Sequence, residues 1–534
     1  MKFTKRTVPL RSSILSACLA ATVMGMSVTP VLADASTLVI ARDMDLNALD
    51  PARSWCDTCQ IYNSAVYEQL VTLDKENKIQ PLLAASWTVS PDQTEFTFKL
   101  DPAAKFSDGS SVEAKDVKWS FERLKNIKGN ASYVADPIGS INTPDASTVI
   151  IKLATSNSEF LNQTAAGFMG IINSDLASEH GALADVTAPE KDTSEEWFLA
   201  NSAGSGPFVL KNYEPNSELR LKRNDAYWRK GSDFGEVVFL QVKNAIAQAQ
   251  MLQSGTADIA MQIDSDAAKS LEGSDAVVQR LPSYNFVYIA LSPGAKSNEV
   301  PLTKDVRQAL SIAIDRTSLI DFVIGGAGRP IATPIPLGFP GGDGHAVPKY
   351  DPDKAKEMLA AAGHPDGFTL KAIFPNLNVN GVDYSLMMQK IQQDLAKVGV
   401  KVELSPMPLP KVREYWSSEG IPLSASYFAP DFYGSSQYVD VFGLSKGSLW
   451  ANRAGAENDP SFLNTKTHDL MLKALAAPST EEADKLWFEA GEEMLGDAVI
   501  LPMVSPDLIV AHGSTVKGVR YSACCILPLL EITK

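Results

Sequence analysis

Histidine and cysteine are scarce in this sequence, at 5 residues each among 534. The histidines are scattered along the chain, and no two of them have the spacing that metal ligands require. They stand at positions His180, His345, His364, His468 and His512. We therefore expect no metal site, and we expect no cofactor.

Catalytic signatures are also missing. The chain has no G-x-S-x-G nucleophile elbow, no H-E-x-x-H zinc motif and no S-x-x-K accompanied by its partner motifs. It has no P-loop for a nucleoside triphosphate either. These absences argue against an enzyme. Since active sites without a motif exist, a periplasmic hydrolase stays open as the alternative from another class.

Positive charge is in deficit. Lys and Arg total 48 against 63 Asp and Glu, which gives a net charge of −15 at pH 7. An acidic surface repels phosphate backbones, so we expect no nucleic-acid partner. The length exceeds what one hydrophobic core sustains, so at least two lobes are expected.

The first 33 residues have the pattern of a cleaved export signal. An uncharged and mostly apolar run covers residues 12–28, and Val31-Leu32-Ala33 offers small residues for cleavage. The basic residues before this run are Lys2, Lys5, Arg6 and Arg11. We therefore expect a mature chain that starts near Asp34 and is periplasmic. After residue 33, no continuous apolar run reaches the roughly 18 residues that a membrane-spanning helix needs.

A lipid anchor is the competing interpretation of the same segment. Residues 15–18 read Leu-Ser-Ala-Cys, a pattern that resembles the signal of bacterial lipoproteins. Too few residues separate Arg11 from Cys18 for an ordinary apolar h-region, which takes about 7 to 15. A free periplasmic protein is therefore favoured over one anchored through Cys18.

Four cysteines remain beyond the signal, in two clusters. Cys56 and Cys59 form a C-x-x-C, and Cys524 and Cys525 are adjacent. An even number in an exported chain indicates disulfides, and four cysteines allow three pairings. A redox motif and half of a zinc ribbon are alternatives for the C-x-x-C, but the surrounding pattern supports neither. We favour a structural bridge between the two clusters, which would tie the ends of the chain together.

The pattern of apolar residues is mixed α and β throughout. Residues 95–100 alternate as a half-buried strand, and residues 114–124 place Val117, Phe121 and Leu124 on one helical face. Helices are predicted over 305–314, 353–362 and 384–398, the last followed by a strand at 400–404. The sequence predicts an α/β fold of two hinge-connected lobes, each a mixed sheet with flanking helices.

The lobes are predicted from where the chain crosses between them. Residues 282–291 have the pattern of a connecting strand, and the chain is expected to cross back near Leu501-Pro502. We expect a large first lobe at residues 34–280, to which 505–534 return, and a second lobe at 281–504.

Residues 81–124 carry a run of motifs that resembles solute-binding protein family 5 of ABC importers, the peptide-, oligopeptide- and nickel-binding group. The elements are Ala84-Ala85-Ser86-Trp87, Lys105-Phe106-Ser107-Asp108-Gly109 and Ala114-Lys115-Asp116-Val117. Further elements recur in order, at residues 204–208, 223–228, 252–258, 305–316 and 350–363. The resemblance implies the periplasmic-binding-protein fold, a monomer, and a solute captured between the lobes and delivered to the permease subunits of the importer.

The resemblance also implies a position for ligand recognition. In peptide-binding relatives a W-x-x-D element supplies an Asp that meets the positive amino group of the ligand. Tyr427-Phe428-Ala429-Pro430-Asp431 resembles this element, with Asp431 as the carboxylate and Phe428 in place of Trp. The other candidates are aromatic or polar residues near the expected cleft or the lobe crossing. The full set of candidate contacts is Asp431, Phe428, Tyr433, Trp450, Trp416, Trp55, Tyr284 and Asn285.

Two departures from the family bear on the ligand. Dipeptide-binding relatives carry an Arg for the peptide carboxylate, and residues 379–384 contain none. The P-D-P-D-N that follows the Asp in the family is replaced by residues 432–437. We expect a peptide or peptide-like small solute, and an oligosaccharide or an opine-like conjugate remains the alternative.

Overall fold

The computed structural model of this chain describes residues 36–523 and 526–534. Its strands are β1 Thr37–Arg42, β2 Val71–Leu73, β3 Ile79–Pro81, β4 Ala84–Val89, β5 Glu95–Leu100, β6 Ile138–Asp145, β7 Thr148–Leu153, β8 Phe208–Glu214, β9 Glu218–Arg223, β10 Glu236–Gln241, β11 Ile259–Ile263, β12 Ala276–Pro282, β13 Phe286–Leu291, β14 Gly328–Arg329, β15 Phe368–Pro375, β16 Asn378–Val379, β17 Val382–Asp383, β18 Val400–Met407, β19 Leu423–Phe428 and β20 Ile500–Gly513.

Helices alternate with these strands. They are α1 Asp57–Val66, α2 Ala114–Asn126, α3 Phe160–Gln163, α4 Ser174–Glu179, α5 Ala188–Lys191, α6 Glu195–Phe198, α7 Ala245–Gln253, α8 Ser265–Ser270, α9 Lys304–Ile312, α10 Arg316–Ile324, α11 Pro352–Ala361, α12 Tyr384–Ala396, α13 Leu409–Ser418, α14 Ser436–Phe442, α15 Leu449–Arg453, α16 Lys466–Leu475 and α17 Thr480–Asp497. Single 3-10 turns occur at Asn130–Ala135, Gly167–Met169, Pro460–Phe462 and Leu529–Glu531. None of the helices in this part of the chain has the length and apolar character required to cross a membrane.

One long strand joins the two halves of the largest sheet. The order of that sheet is β18-β15-β19-β13-β20-β11-β1-β10-β9-β8, with β12 and β14 also paired to β20. The first half of β20 pairs with β13, where Ile500 is opposite Ala290. Its second half pairs with β11, where His512 is opposite Ile259. The chain therefore passes between the two halves at β20 and at the short link between β12 and β13. The lobe boundaries at residues 280 and 504 stay a prediction.

A separate four-stranded sheet has the order β4-β5-β7-β6, and its β5 is the strand predicted at residues 95–100. The alternation in β5 buries Phe96 and Phe98. Gly109 adopts a φ of +89°, the left-handed conformation that glycine tolerates best, in the turn before α2. A reciprocal capping box between Glu113 and Asp116 then starts α2.

The second half of the chain contains a parallel β-α-β unit. The side chain of Asp383 accepts a hydrogen bond from the Leu386 N–H and caps α12. This helix connects β15 to β18, which pair in parallel from Phe368 opposite Val400 to Pro375 opposite Met407. The structure confirms the helices predicted at 305–314, 353–362 and 384–398, with ends that differ by one or two residues. These differences are ordinary for helix ends, which fray.

The disulfide predicted between the two cysteine clusters is wrong for Cys56 and Cys59. These two residues are bonded to each other, with Cα atoms 5.0 Å apart. Cys56 is the N-cap of α1, so the first helical turn brings Cys59 back to it. Cys524 and Cys525 lie outside the described residues, as does the export signal with Cys18.

Candidate ligand-binding site

Asp431 stands at the end of a buried strand. β19 lies between β13 and β15 in the large sheet, and the chain leaves it at Phe428. Asp431 follows three residues later. It is only 7% exposed, so its side chain is almost out of contact with solvent. Its backbone N–H donates to the side-chain oxygen of Gln437, at 2.8 Å, which holds the start of the loop.

Two distant segments supply hydrogen-bond donors to the Asp431 carboxylate. The indole N–H of Trp55 lies 3.2 Å from Oδ1 and 3.3 Å from Oδ2. The hydroxyl of Tyr133, from the 3-10 turn at Asn130–Ala135, donates to Oδ2. The structure thus brings two predicted contacts, Asp431 and Trp55, together with Tyr133, which the sequence did not indicate.

The charge of Asp431 is not compensated by a cation. Among the residues that the structure describes, no Lys, Arg or His forms an ion pair with it. Burial raises the pKa of Asp431 to about 6, although the hydrogen bonds from Tyr133 and Trp55 act in the opposite direction. Burial also raises the pKa of Tyr133 well above its ordinary value, and the neighbouring carboxylate adds to that effect. A buried carboxylate with only neutral donors favours the arrival of a cationic group.

Trp55 is held in place by the segment that precedes α1. Its backbone N–H donates to the side-chain oxygen of Asn47, at 3.0 Å. The next residue, Cys56, is fixed by its disulfide with Cys59. The indole ring remains accessible, since Trp55 is 39% exposed. The ring of Trp55 therefore lies between solvent-accessible space and a carboxylate that is itself buried.

The predicted contacts Trp416, Trp450 and Phe428 lie in or against a hydrophobic core. Trp450 is fully buried and Trp416 is 5% exposed. Their rings meet edge to face, with centroids 5.9 Å apart, and the Trp416 indole N–H donates to the Ser424 hydroxyl. Phe428 is half-buried, and its ring packs against Tyr438. A ligand contact by either tryptophan would require this core to open, and contact by any of the three stays a prediction.

Tyr284, Asn285 and Tyr433 lie closer to the link between β12 and β13. Tyr284 has a φ of +58°, a conformation that is uncommon for a residue with a side chain. The rings of Tyr284 and Tyr433 both pack on Phe339, with centroid distances of 5.9 and 5.0 Å. Asn285 is 4% exposed, and its side-chain oxygen has no hydrogen-bond partner within the described part of the chain. Whether these three residues touch a ligand also stays a prediction.

A cavity of about 490 Å³ lies near the loop that carries Asp431. It is lined by residues from both halves of the chain, including Gln93, Glu159, Pro340, Ala477, Asp484 and Trp487. Its charged lining residues are carboxylates. The described residues contain no group of three or more His, Cys, Asp or Glu side chains arranged to hold a metal ion.

Tyr133, Gln437 and Glu159 shape this region and were not indicated by the sequence. None of them belongs to a motif, and Tyr133 and Glu159 lie far along the chain from their partners. The Tyr133 hydroxyl meets a carboxylate 298 residues away, and Glu159 meets backbone groups 276 and 277 residues away. A local sequence pattern contains no information about contacts between residues so far apart in the chain.

Comparison with known proteins identifies the family. The profile described as "Bacterial extracellular solute-binding proteins, family 5 Middle" matches residues 78–450. The chain therefore belongs to the bacterial extracellular solute-binding proteins of family 5, as the motif run at residues 81–124 predicted.

Individual relatives match nearly the whole chain. The probable D,D-dipeptide-binding periplasmic protein DdpA of Escherichia coli K12 is 27% identical over 537 residues, which cover 99% of this chain and 98% of that protein. The glutathione-binding protein GsiB of Shigella flexneri is 26% identical over 491 residues, or 91% of this chain and 92% of that protein. Both names describe binding proteins, and that of DdpA places it in the periplasm.

A solved structure supports the same fold. The periplasmic binding protein AgaA of A. tumefaciens R10, in complex with agropinic acid, aligns with a TM-score of 0.75 and 25% identity. The alignment covers 93% of this chain and 98% of that one. The fold is accordingly the two-lobed α/β fold of periplasmic binding proteins, which the sequence predicted.

Proposed function

We propose that this protein is the periplasmic substrate-binding component of an ABC importer and that its solute is a peptide or peptide-like molecule with a cationic amino group. The observation that carries this proposal is the Asp431 carboxylate, buried at the end of β19 with Trp55 and Tyr133 as neutral donors. The solute is held beside this carboxylate and delivered to the permease subunits.

The chemistry of the site favours an ammonium group over a neutral one. A buried carboxylate that lacks a cation pays a desolvation cost that hydrogen bonds from neutral donors only partly offset. An ammonium group supplies both hydrogen-bond donors and the opposite charge. An oligosaccharide hydroxyl supplies a donor but no charge, so it leaves the electrostatic cost in place.

The relatives agree with this choice of ligand class. DdpA is named for D,D-dipeptides and GsiB for glutathione, and both kinds of molecule carry a free amino group. The structure of AgaA contains agropinic acid, which keeps an opine-like conjugate as the second candidate. The absence of Arg from residues 379–384 favours a solute whose carboxylate is recognised differently from that of an ordinary dipeptide.

The same proposal covers the organisation of the chain. Residues 34–280 with 505–534 form the first lobe, and residues 281–504 form the second. The mature protein starts near Asp34, acts as a monomer and binds its solute without converting it. The recovery of a chemically altered solute after incubation with the purified protein would contradict this last point and favour a hydrolase.

The experiment starts with the protein as purified from the periplasm. Native mass spectrometry identifies the compound that co-purifies, and thermal-shift titration measures its affinity together with those of D-alanyl-D-alanine, glutathione and agropinic acid. A bound solute raises the melting temperature according to mass action. We expect a compound with a free amino group to bind, and we expect its N-acetylated form to bind at least about tenfold more weakly, because the buried charge then stays unpaired.

The substitution Asp431→Asn tests the residue itself. It keeps the size of the side chain and removes its charge, so the melting temperature without solute should change little while the preference for the free amine is lost. If Asp431 meets the amino group, N-acetylation of the solute and the substitution Asp431→Asn should lower the affinity by similar factors. The variant should then bind the free and the acetylated compound equally well. If wild type already binds both forms equally, the proposed ligand class is wrong.

A further inference from the structure

Glu159 is a second buried carboxylate, and it binds the loop that carries Asp431. Its Oε1 accepts from the backbone N–H of Ser435 at 2.7 Å, and its Oε2 accepts from the backbone N–H of Ser436 at 3.1 Å. The three residues are 5%, 0% and 8% exposed. The contact joins residues in the two lobes that we propose.

The loop between Asp431 and Gln437 behaves as one unit because Gln437 ties it together. The side-chain oxygen of Gln437 accepts from the Asp431 N–H, and its side-chain amide donates to the carbonyl oxygens of Phe432 and Gly434. A group that fixes the far end of this loop, at Ser435, therefore also restrains Asp431.

Phe432, the apolar residue of the loop, packs into the hydrophobic core next to Glu159. Phe432 is 1% exposed and belongs to the hydrophobic core that contains Phe160, the residue after Glu159. The other buried members of this core lie between residues 52 and 188, so the loop inserts into it from the other half of the chain. Next to it, the backbone N–H of Ser158 donates to the carbonyl of Leu475 at 2.9 Å.

The close approach of Glu159 requires a residue without a side chain at position 434. A Cβ atom at Gly434 would lie 2.5 Å from Oε2 of Glu159 and 2.8 Å from its Cδ. Because neither distance is compatible with van der Waals contact, a substitution at Gly434 must displace the carboxylate or the loop. The position of the Glu159 carboxylate therefore depends on glycine at position 434.

Burial at this contact disfavours the charged form of Glu159. Burial raises its pKa, whereas the hydrogen bonds from Ser436 and Ser435 lower it. No Lys, Arg or His of the described chain forms an ion pair with Glu159, so its charge is compensated by hydrogen bonds from Ser436 and Ser435.

We propose that Glu159, from the first of the two proposed lobes, is a positioning residue that fixes the Asp431 loop and so aligns the solute-binding carboxylate with Trp55 and Tyr133. The proposal depends on the proposed function in one respect, the role of Asp431 in holding the solute. Its structural content, the coupling of Glu159 to the position of Asp431, can be tested without any solute.

The test uses the full mature protein, free of solute, in three variants. Glu159→Ala removes both acceptors. Glu159→Gln keeps the size of the side chain and one acceptor oxygen, and it guards against a loss of folding in the alanine variant. Asp484→Asn is the matched control, because Asp484 lines the same cavity, has a pKa raised by burial and makes no hydrogen bond through Oδ1.

Two readouts follow the loop and the carboxylate separately. Hydrogen exchange measured by mass spectrometry reports the Ser435 and Ser436 amides. Fluorine NMR of protein labelled with 5-fluorotryptophan, with the Trp55 signal assigned through Trp55→Phe, reports the contact between Trp55 and Asp431. The Asp431→Ala variant gives the position of the Trp55 signal when that contact is lost.

We expect Glu159→Ala to speed exchange at residues 435 and 436 by about tenfold or more, as the loss of hydrogen bonds to a charged group implies. The Trp55 signal should move toward its position in Asp431→Ala, with Glu159→Gln intermediate and Asp484→Asn unchanged. A purely structural role would lower the melting temperature and leave the Trp55 signal in place, which would overturn the proposal. So would an equal shift in Asp484→Asn. Neither result bears on whether the solute is a peptide, so the two proposals fail independently.

Discussion

The indole nitrogen of Trp55 lies within 3.3 Å of both carboxylate oxygens of Asp431, although 376 residues separate them in the chain. The carboxylate has no cation beside it among the described residues, and its burial raises the pKa to about 6. The charge of the site should therefore change as the pH passes through about 6.

The affinity for an amine-containing solute should fall at acidic pH. Asp431 must be ionised to pair with an ammonium group, and a bound cation holds its pKa below the value of about 6 in the free protein. Binding then releases a proton and is favoured as the pH rises through 6. We expect affinity to fall by up to about tenfold per pH unit below that point, as linkage requires. Isothermal titration calorimetry between pH 5 and 8 measures this slope, and Asp431→Asn should give a flat profile.

Tyr133→Phe should move the same profile to higher pH. The Tyr133 hydroxyl donates to the charged form of Asp431 and lowers its pKa, so its removal raises that pKa further. Tyr384→Phe is the control, since the Tyr384 hydroxyl is buried in a core and has no hydrogen-bond partner. The control should leave the midpoint unchanged. A midpoint that moves equally in both variants would show that the Tyr133 contact does not control the titration.

Arg123→Ala should strongly destabilise the protein. Arg123 is fully buried on α2 and forms ion pairs with Asp50 and Asp192, both also buried in their side chains. Removing the cation leaves two carboxylates for which Arg53 is the remaining ion-pair partner among the described residues, so we expect a loss of about 3 to 5 kcal/mol in the free energy of unfolding. Lys118→Ala on the same helix breaks only an exposed pair with Glu122 and should cost less than about 1 kcal/mol. Urea denaturation of both variants checks the difference.

Peptide mapping under non-reducing conditions should recover Cys56 and Cys59 joined within one peptide. The structure places their Cα atoms 5.0 Å apart in the first turn of α1. A peptide that links either of them to Cys524 or Cys525 would contradict this pairing. Digestion after reduction and alkylation provides the control, because both cysteines should then carry the alkyl label.

Local features of this protein were predictable because they depend on neighbouring residues. The alternation in Glu95–Leu100, the turn at Gly109 and the spacing of Val117, Phe121 and Leu124 predicted β5 and α2 where they occur. The motif run at residues 81–124 predicted the family, and Asp431 emerged as a candidate from its resemblance to a family element. Each of these inferences depends on residues that are close together in the chain.

The partners of Asp431 were decided by the tertiary structure. Tyr133 and Glu159 reach the loop at residues 431–436 only because the chain crosses between the halves of the large sheet at β20 and at the link between β12 and β13. The same packing buries Trp450 and Trp416 in a core. Aromatic residues of this type are common in binding sites, which is why the sequence made both of them candidates. The sequence by itself determined the family, the local elements and the identity of the carboxylate. Its burial, its neutral donors and the carboxylate that fixes its loop follow from long-range packing, which leaves no periodic signature in the chain.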